Sequence, residues 1–159
     1  MRGEVKVPWG DGLLLGTGTK TPDIEMVEVA NKEAERLSNY AGKITVLEYW
    51  ATYCGPCQSK MAELESYPGK YPDWQSKVVL IAASIDENAE IAAKHLKAKE
   101  WNQTHNVWVQ LPAIRAYHIN AIPTVYVIGR QGKVAAVNPR DLSLVVNHEL
   151  EEKPAATAR

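Results

Sequence analysis

Cys54 and Cys57 are the only cysteines among 159 residues, and they stand three apart in Trp50-Ala51-Thr52-Tyr53-Cys54-Gly55-Pro56-Cys57-Gln58. Two thiols at that spacing cannot build a disulfide framework, so the chain must fold around an ordinary core. They can close one tight, reversible disulfide, which is a device for moving two electrons. With 45% hydrophobic residues the chain can bury such a core, and its length suits one domain. A formal net charge of −1 supplies no basic stripe for nucleic acid and no acidic tail. The apolar runs are strand-sized, as in Val78 to Ala83, and none approaches the length of a membrane helix. Met1 to Lys6 holds no signal-peptide core, and Leu13-Leu14-Leu15 is too short for one. Two readings follow: a cytoplasmic protein, or a mature domain whose leader is not part of this sequence.

Residues 1–21 are rich in Gly, Thr and Pro, show no period, and read as a loose N-terminal arm. Ile24 to Val29 alternates apolar with acidic residues, as a half-buried strand does. Leu37 to Lys43 reads as a short helical turn closed by Gly42. Ile44 to Trp50 is rich in β-formers and should be a central strand, yet it carries one acid, Glu48. Cys57, Met61 and Leu64 recur at the spacing of one helix face, so the cysteine pair opens a helix. Pro56 sits in its first turn, where proline is tolerated, and Pro68 is expected to end it. Val78 to Ile85 reads as a second buried strand. Asp86-Glu87-Asn88 offers a cap for a helix running to about Lys99. A short strand near Val107 to Val109 and a short helix over Leu111 to Tyr117 follow. Thr124 to Ile128 is a strong strand, Gly129-Arg130-Gln131-Gly132 a hairpin turn, and Lys133 to Val137 pairs back. Leu142, Val145, Val146 and Leu150 mark a last amphipathic helix, and residues 153–159 a frayed tail. The order predicts an α/β domain over residues 22–152: a central mixed sheet flanked by helices, with an N-terminal extension.

A thiolate attacks disulfides, and the free N–H groups at a helix start stabilise that anion. Cys54 is therefore the expected nucleophile. Cys57, one turn inward on the buried face, is the expected resolving thiol. The competing reading is half of a zinc site, but zinc needs four ligands and no second pair exists. His95, His105, His118 and His148 show no short ligand spacing, so no metal is expected. Glu48 lies six residues before Cys54. A carboxylate among apolar neighbours is costly to ionise, so its pKa rises, and it could take and return the Cys57 proton. The alternative is a solvated position on a sheet edge. Trp50 and Tyr53 flank the cysteines and could shield the sulfur or form a docking surface; core packing is the other reading. The Ile122-Pro123 bond, on general statistics alone, reads as trans.

Leu47 to Cys57 resembles the active-site signature of the thioredoxin superfamily, and Ile122-Pro123-Thr124 with the strand and glycine turn behind it resembles the second. Within that superfamily the chain is similar to the TlpA/ResA type, whose entry segment resembles Thr21-Pro22-Asp23-Ile24 leading to Leu37 to Lys43. The resemblance implies a thioredoxin fold and a thiol–disulfide oxidoreductase, of the reducing kind, with no cofactor beyond the Cys54–Cys57 disulfide. It implies that Pro123 is cis beside the disulfide and that Ile122 offers its backbone to an extended substrate. Trp50, Tyr53, Gly55 and Pro56 then join Ile122 as expected substrate contacts. It also implies a monomer with a protein disulfide substrate, an upstream electron donor and an extracytoplasmic, periplasmic setting. Membrane anchoring would come only from a leader. The sequence departs from the group at Lys60-Met61-Ala62, where Glu-Met-Pro is usual, and at Tyr53, where tryptophan is usual. A disulfide oxidase or isomerase, and a redox-responsive or metal-carrying module that does not turn over, are the alternatives.

Overall fold

Ile44–Trp50 is buried at all seven positions, which requires neighbours on both edges and cover on both faces. The computed structural model describes residues 4–7 and 12–152 and supplies both. Its strands are β1 (Val5–Lys6), β2 (Glu25–Glu28), β3 (Ala34–Arg36), β4 (Ile44–Trp50), β5 (Val78–Ser84), β6 (His105–Trp108), β7 (Ala121–Ile122), β8 (Thr124–Ile128) and β9 (Val134–Val137). Its helices are α1 (Gly55–Lys70), α2 (Ala89–Lys99), α3 (Leu111–Ala116) and α4 (Leu142–Glu151). A seven-stranded sheet runs β3-β2-β6-β5-β4-β8-β9. The β4–β5 and β5–β6 pairs are parallel and the others antiparallel, so the sheet is mixed, with β4 near its middle.

Side chains alternate across β4, and each face has its own cover. Ile44 and Val46 pack in one cluster with Leu64 and Tyr67 of α1 and Leu142 and Val146 of α4. On that same face the Trp50 ring lies 5.8 Å from His95 of α2. On the other face the Tyr49 hydroxyl donates to the carbonyl of Ala113 in α3, at 3.0 Å. Glu48 is two positions from both Val46 and Trp50, shares their face of β4, and therefore points toward the α1 side. This is the α/β thioredoxin arrangement, a mixed sheet flanked by helices.

Pro68 does not end α1, which continues to Lys70. The proline falls in the last turn, where it removes one ladder bond. Aromatic packing holds that end instead: Tyr71 stacks on Trp74 at 4.5 Å, and Tyr67 lies 5.2 Å from Trp74. The N-terminal arm also departs from expectation, because its described parts are tied down. The Leu15 amide donates to the Tyr126 hydroxyl at 3.1 Å. Gly18 N–H bonds to the Val134 carbonyl at 2.8 Å, and Lys20 bridges Lys133. Val5 and Lys6 pair antiparallel with Ile122 and Ala121. Backbone donors and acceptors that meet a strand edge pair with it whatever their side chains, so a segment without periodicity can still be ordered. The expected frayed tail, 153–159, lies outside the described residues, as do 1–3 and 8–11 of the arm.

Candidate active site

Cys54 is the N-cap of α1, and its sulfur accepts a hydrogen bond from the Cys57 backbone N–H at 3.2 Å. The bond meets one of the donors that a helix start leaves free. Extended backbone at Cys54 and Pro56 in the first turn bring the two sulfurs together: Cys54 and Cys57 are joined by a disulfide, with Cα atoms 5.3 Å apart. Both cysteines are fully buried. The Ile122–Pro123 peptide bond is cis, as the resemblance implied and general statistics did not. The Ile122 carbonyl oxygen lies 3.8 Å from Cys54 Sγ. Residues 68 positions apart in the chain thus meet at one sulfur.

Glu48 is fully buried, and neither carboxylate oxygen has a hydrogen-bond partner among the described residues. The solvated-edge reading therefore fails, since β4 pairs on both sides, with Ala82 and Val125 opposite Glu48. Burial pushes the Glu48 carboxyl well above the ordinary carboxylate range; Lys60 pulls it back and Glu63 adds to the rise. Lys60 and Glu63 form an i,i+3 ion pair on α1 at 3.0 Å. Lys60 also lines a cleft of about 160 Å³ with Pro123, Val125, Asn138, Pro139 and Leu142. That cleft opens beside the cis-proline on the side of the sheet to which Glu48 points.

The expected docking residues divide by exposure. Tyr53 is 62% exposed, Gly55 is exposed and Pro56 half-exposed, so these three form the outer surface of the cysteine turn. Trp50 is buried, its indole N–H without a partner among the described residues, so it is core and cannot meet a substrate here. Ile122 is buried as well, and its strand edge is already taken by Val5.

Two supporting residues escaped the sequence reading. Asp86, expected only near a helix cap, instead holds the loop before Cys54. Its carboxylate accepts from the Thr52 amide at 3.1 Å, the Thr52 hydroxyl at 2.8 Å and the Ser84 hydroxyl at 2.6 Å. The cap of α2 is Asn88, which accepts from Ile91 N–H at 3.0 Å. Asp86→Ala strands three donors and is expected to lower unfolding stability by about 1–3 kcal/mol in a denaturant melt. His95 is the second. Its Nε2 meets Gln58 Oε1 at 2.7 Å, and the Gln58 amide nitrogen donates to the Cys54 carbonyl at 3.0 Å. An amide oxygen only accepts, so Nε2 carries the proton. Burial, with Lys99 assisting, holds this ring below the ordinary histidine range. No pattern near the cysteines announces either residue, since both act across more than 30 positions.

Among the described residues, the carboxylates and imidazole placed to share a metal ion are Glu28, Glu35 and His105. They sit where β2, β3 and β6 adjoin, away from the cysteine turn. Among the described residues no helix is long and apolar enough to cross a membrane.

The sequence matches the AhpC/TSA family over residues 17–137. It is similar to the thioredoxin-like protein YneN of Bacillus subtilis (strain 168), 24% identical over 139 residues, covering 86% of this chain and 77% of that relative. It is also similar to the thiol-disulfide oxidoreductase ResA of Geobacillus thermodenitrificans (strain NG80-2), 27% identical over 126 residues, covering 77% of this chain and 69% of the other. Among solved structures, the thioredoxin domain of a thiol-disulfide oxidoreductase from Bacteroides vulgatus superposes with a TM-score of 0.73. The two are 20% identical, over 86% of this chain and 97% of that one, a likeness of fold.

Proposed function

The chain belongs to the AhpC/TSA family, and from that premise we propose that it reduces protein disulfides by dithiol–disulfide exchange at Cys54 and Cys57. One observation carries the reading: the chain's two cysteines are joined in a disulfide at the start of α1, beside the cis bond of Pro123. In the reduced protein, the Cys54 thiolate attacks one sulfur of a substrate disulfide. A mixed disulfide forms and the first substrate thiolate leaves. Cys57 then attacks Cys54, the second substrate thiolate departs, and the Cys54–Cys57 disulfide closes. Two electrons pass to the substrate, and each departing thiolate gains a proton. Cys57 must lose its own proton to attack; Glu48, whose carboxyl burial makes a stronger base than an ordinary carboxylate, takes that proton in its ionised form and returns it as the cycle turns. The step balances with these side chains alone, so no further cofactor is invoked. An upstream dithiol donor re-reduces the pair.

The Gly55-Pro56 dipeptide and the buried acid, which resemble those of reducing thioredoxins, support the direction. Equilibration with glutathione is expected to give a potential near that of thioredoxin, about −270 mV, rather than the −120 mV or so of a strong oxidant. A value at the oxidising end would assign the protein to disulfide formation. In the reduced protein, mildly acidic alkylation is expected to modify Cys54 before Cys57; the opposite order would exchange their roles. The similarity to the TlpA/ResA group supports an extracytoplasmic setting, which cell fractionation checks. We also place the protein as a monomer, to be tested by sedimentation.

A further inference from the structure

We propose that β1 is a resident occupant of the β7 backbone edge, where the resemblance already implies that an extended substrate docks at Ile122, and that a protein substrate must displace it. This inference rests on the exchange reaction at Cys54 and adds its control and its substrate class.

The pairing is specific. Val5 sits opposite Ile122 and Lys6 opposite Ala121, in antiparallel register. The Val7 N–H continues the ladder to the Asn120 carbonyl at 3.0 Å. Among the described residues β7 pairs with no other strand. The Ile122 carbonyl in this ladder is the one lying 3.8 Å from Cys54 Sγ. A cysteine side chain is one carbon long, so a substrate whose sulfur reaches Cys54 must run its backbone past Ile122. It then needs the position that β1 holds.

Closure at the sulfur is the second observation. Cys54 has no exposed surface, although its chemistry requires contact with a foreign disulfide. Something beside it must move. β4 and α1 are anchored through the core. β1 has two residues, an exposed Lys6 and a half-buried Val5, and its ion pair between Lys6 and Glu4 is exposed and weak. Among the described residues of this segment, the one buried anchor is Val7, 6% exposed and part of the cluster that includes Cys54. Short two-stranded pairings are marginal in water, so β1 is the element that opens at least cost.

The occupant also describes the guest. The edge takes an extended polypeptide with a free N–H at the residue facing Ile122. The socket of Val7 accepts an aliphatic side chain two positions along. The substrate class is therefore an unfolded or extended segment with an aliphatic residue near its disulfide, not a rigid surface disulfide.

Two full-length variants test this, neither altering the cysteines, Glu48 or Pro123. Val7→Asp places a charge in the socket and should release β1. Val5→Pro removes the N–H that faces Ile122. Each is expected to raise the rate of insulin reduction, and the rate of iodoacetamide labelling at Cys54, by about threefold or more, because apparent affinity scales with the open fraction. Labelling at Cys57 and the reduction potential should not change. Rates that stay level or fall in both variants, with the potential and melting temperature intact, would overturn the proposal. A wild-type protein that reduces neither insulin nor a small disulfide would instead overturn the exchange function itself.

Discussion

Cys57→Ser is expected to stop turnover and leave the protein covalently joined to its substrate through Cys54. The expectation follows from the geometry of α1. Cys54 caps the helix and holds the Cys57 N–H on its sulfur, so the first attack does not need the second thiol. Cys57 lies one turn inward, fully buried, and its sulfur already bonds Cys54 in the oxidised state. Release of the second substrate thiolate requires an attack on the Cys54 sulfur from that side. Serine fills the space but cannot supply the attacking sulfur, so the mixed disulfide accumulates. Cys54→Ser should instead abolish the first step and trap nothing. A non-reducing gel of each variant after exposure to a disulfide-bonded protein separates the outcomes. An adduct carried by the Cys54→Ser variant would reverse the assignment.

The second large effect concerns Glu48. Glu48→Gln keeps the shape and removes the titration, and exchange is expected to slow roughly 10²-fold, the lower end of what positioned acid–base groups contribute. The pH–rate profile should lose the inflection that belongs to this carboxyl. Unchanged kinetics across pH would refute the role. Stability should move the other way. The folded carboxyl holds its proton above the pH at which the unfolded one releases it. Between those two values the native state binds more protons, so its stability declines as pH rises through the interval. The nearby charges of α1, Lys60 and Glu63, act on Glu48 with opposite signs and leave burial in control. Glu48→Leu removes both the titration and the unpartnered oxygens. It is expected to stabilise the fold by about 1–3 kcal/mol, more at alkaline than at acid pH. Denaturant melts at two pH values measure this.

The parts of the molecule that were legible in advance are those that side-chain chemistry writes into the chain. Val78 to Ser84 and Thr124 to Ile128 are apolar and β-rich, and they fold as β5 and β8. The helical spacing of Cys57, Met61 and Leu64 places all three on the buried face of α1. Glu48 stood out because a charge inside an apolar run must be explained. What stayed hidden depends on backbone or on distant partners. Ala34–Arg36 has no apolar alternation, so β3 exists only through its pairing with β2. Val5 and Lys6 pair by main-chain bonds that no side chain advertises. Asp86 works through Thr52 and Ser84, one of them 34 positions away. Trp50 was open between two roles, and only its burial among α2 residues decided for the core.

The strand order has a further consequence, for self-association. A bare ladder at the end of a sheet is a template on which copies of a chain stack into aggregates. Here the outer strands are β3 and β9. β3 is three residues long, follows Lys32 and Glu33, and itself carries Glu35 and Arg36. The start of β9 is covered by residues 18–20 of the same chain. Neither end therefore offers a long apolar ladder to a second copy. The exchange we propose brings extended chains to this molecule, and its sheet ends are short or covered where such chains could stack.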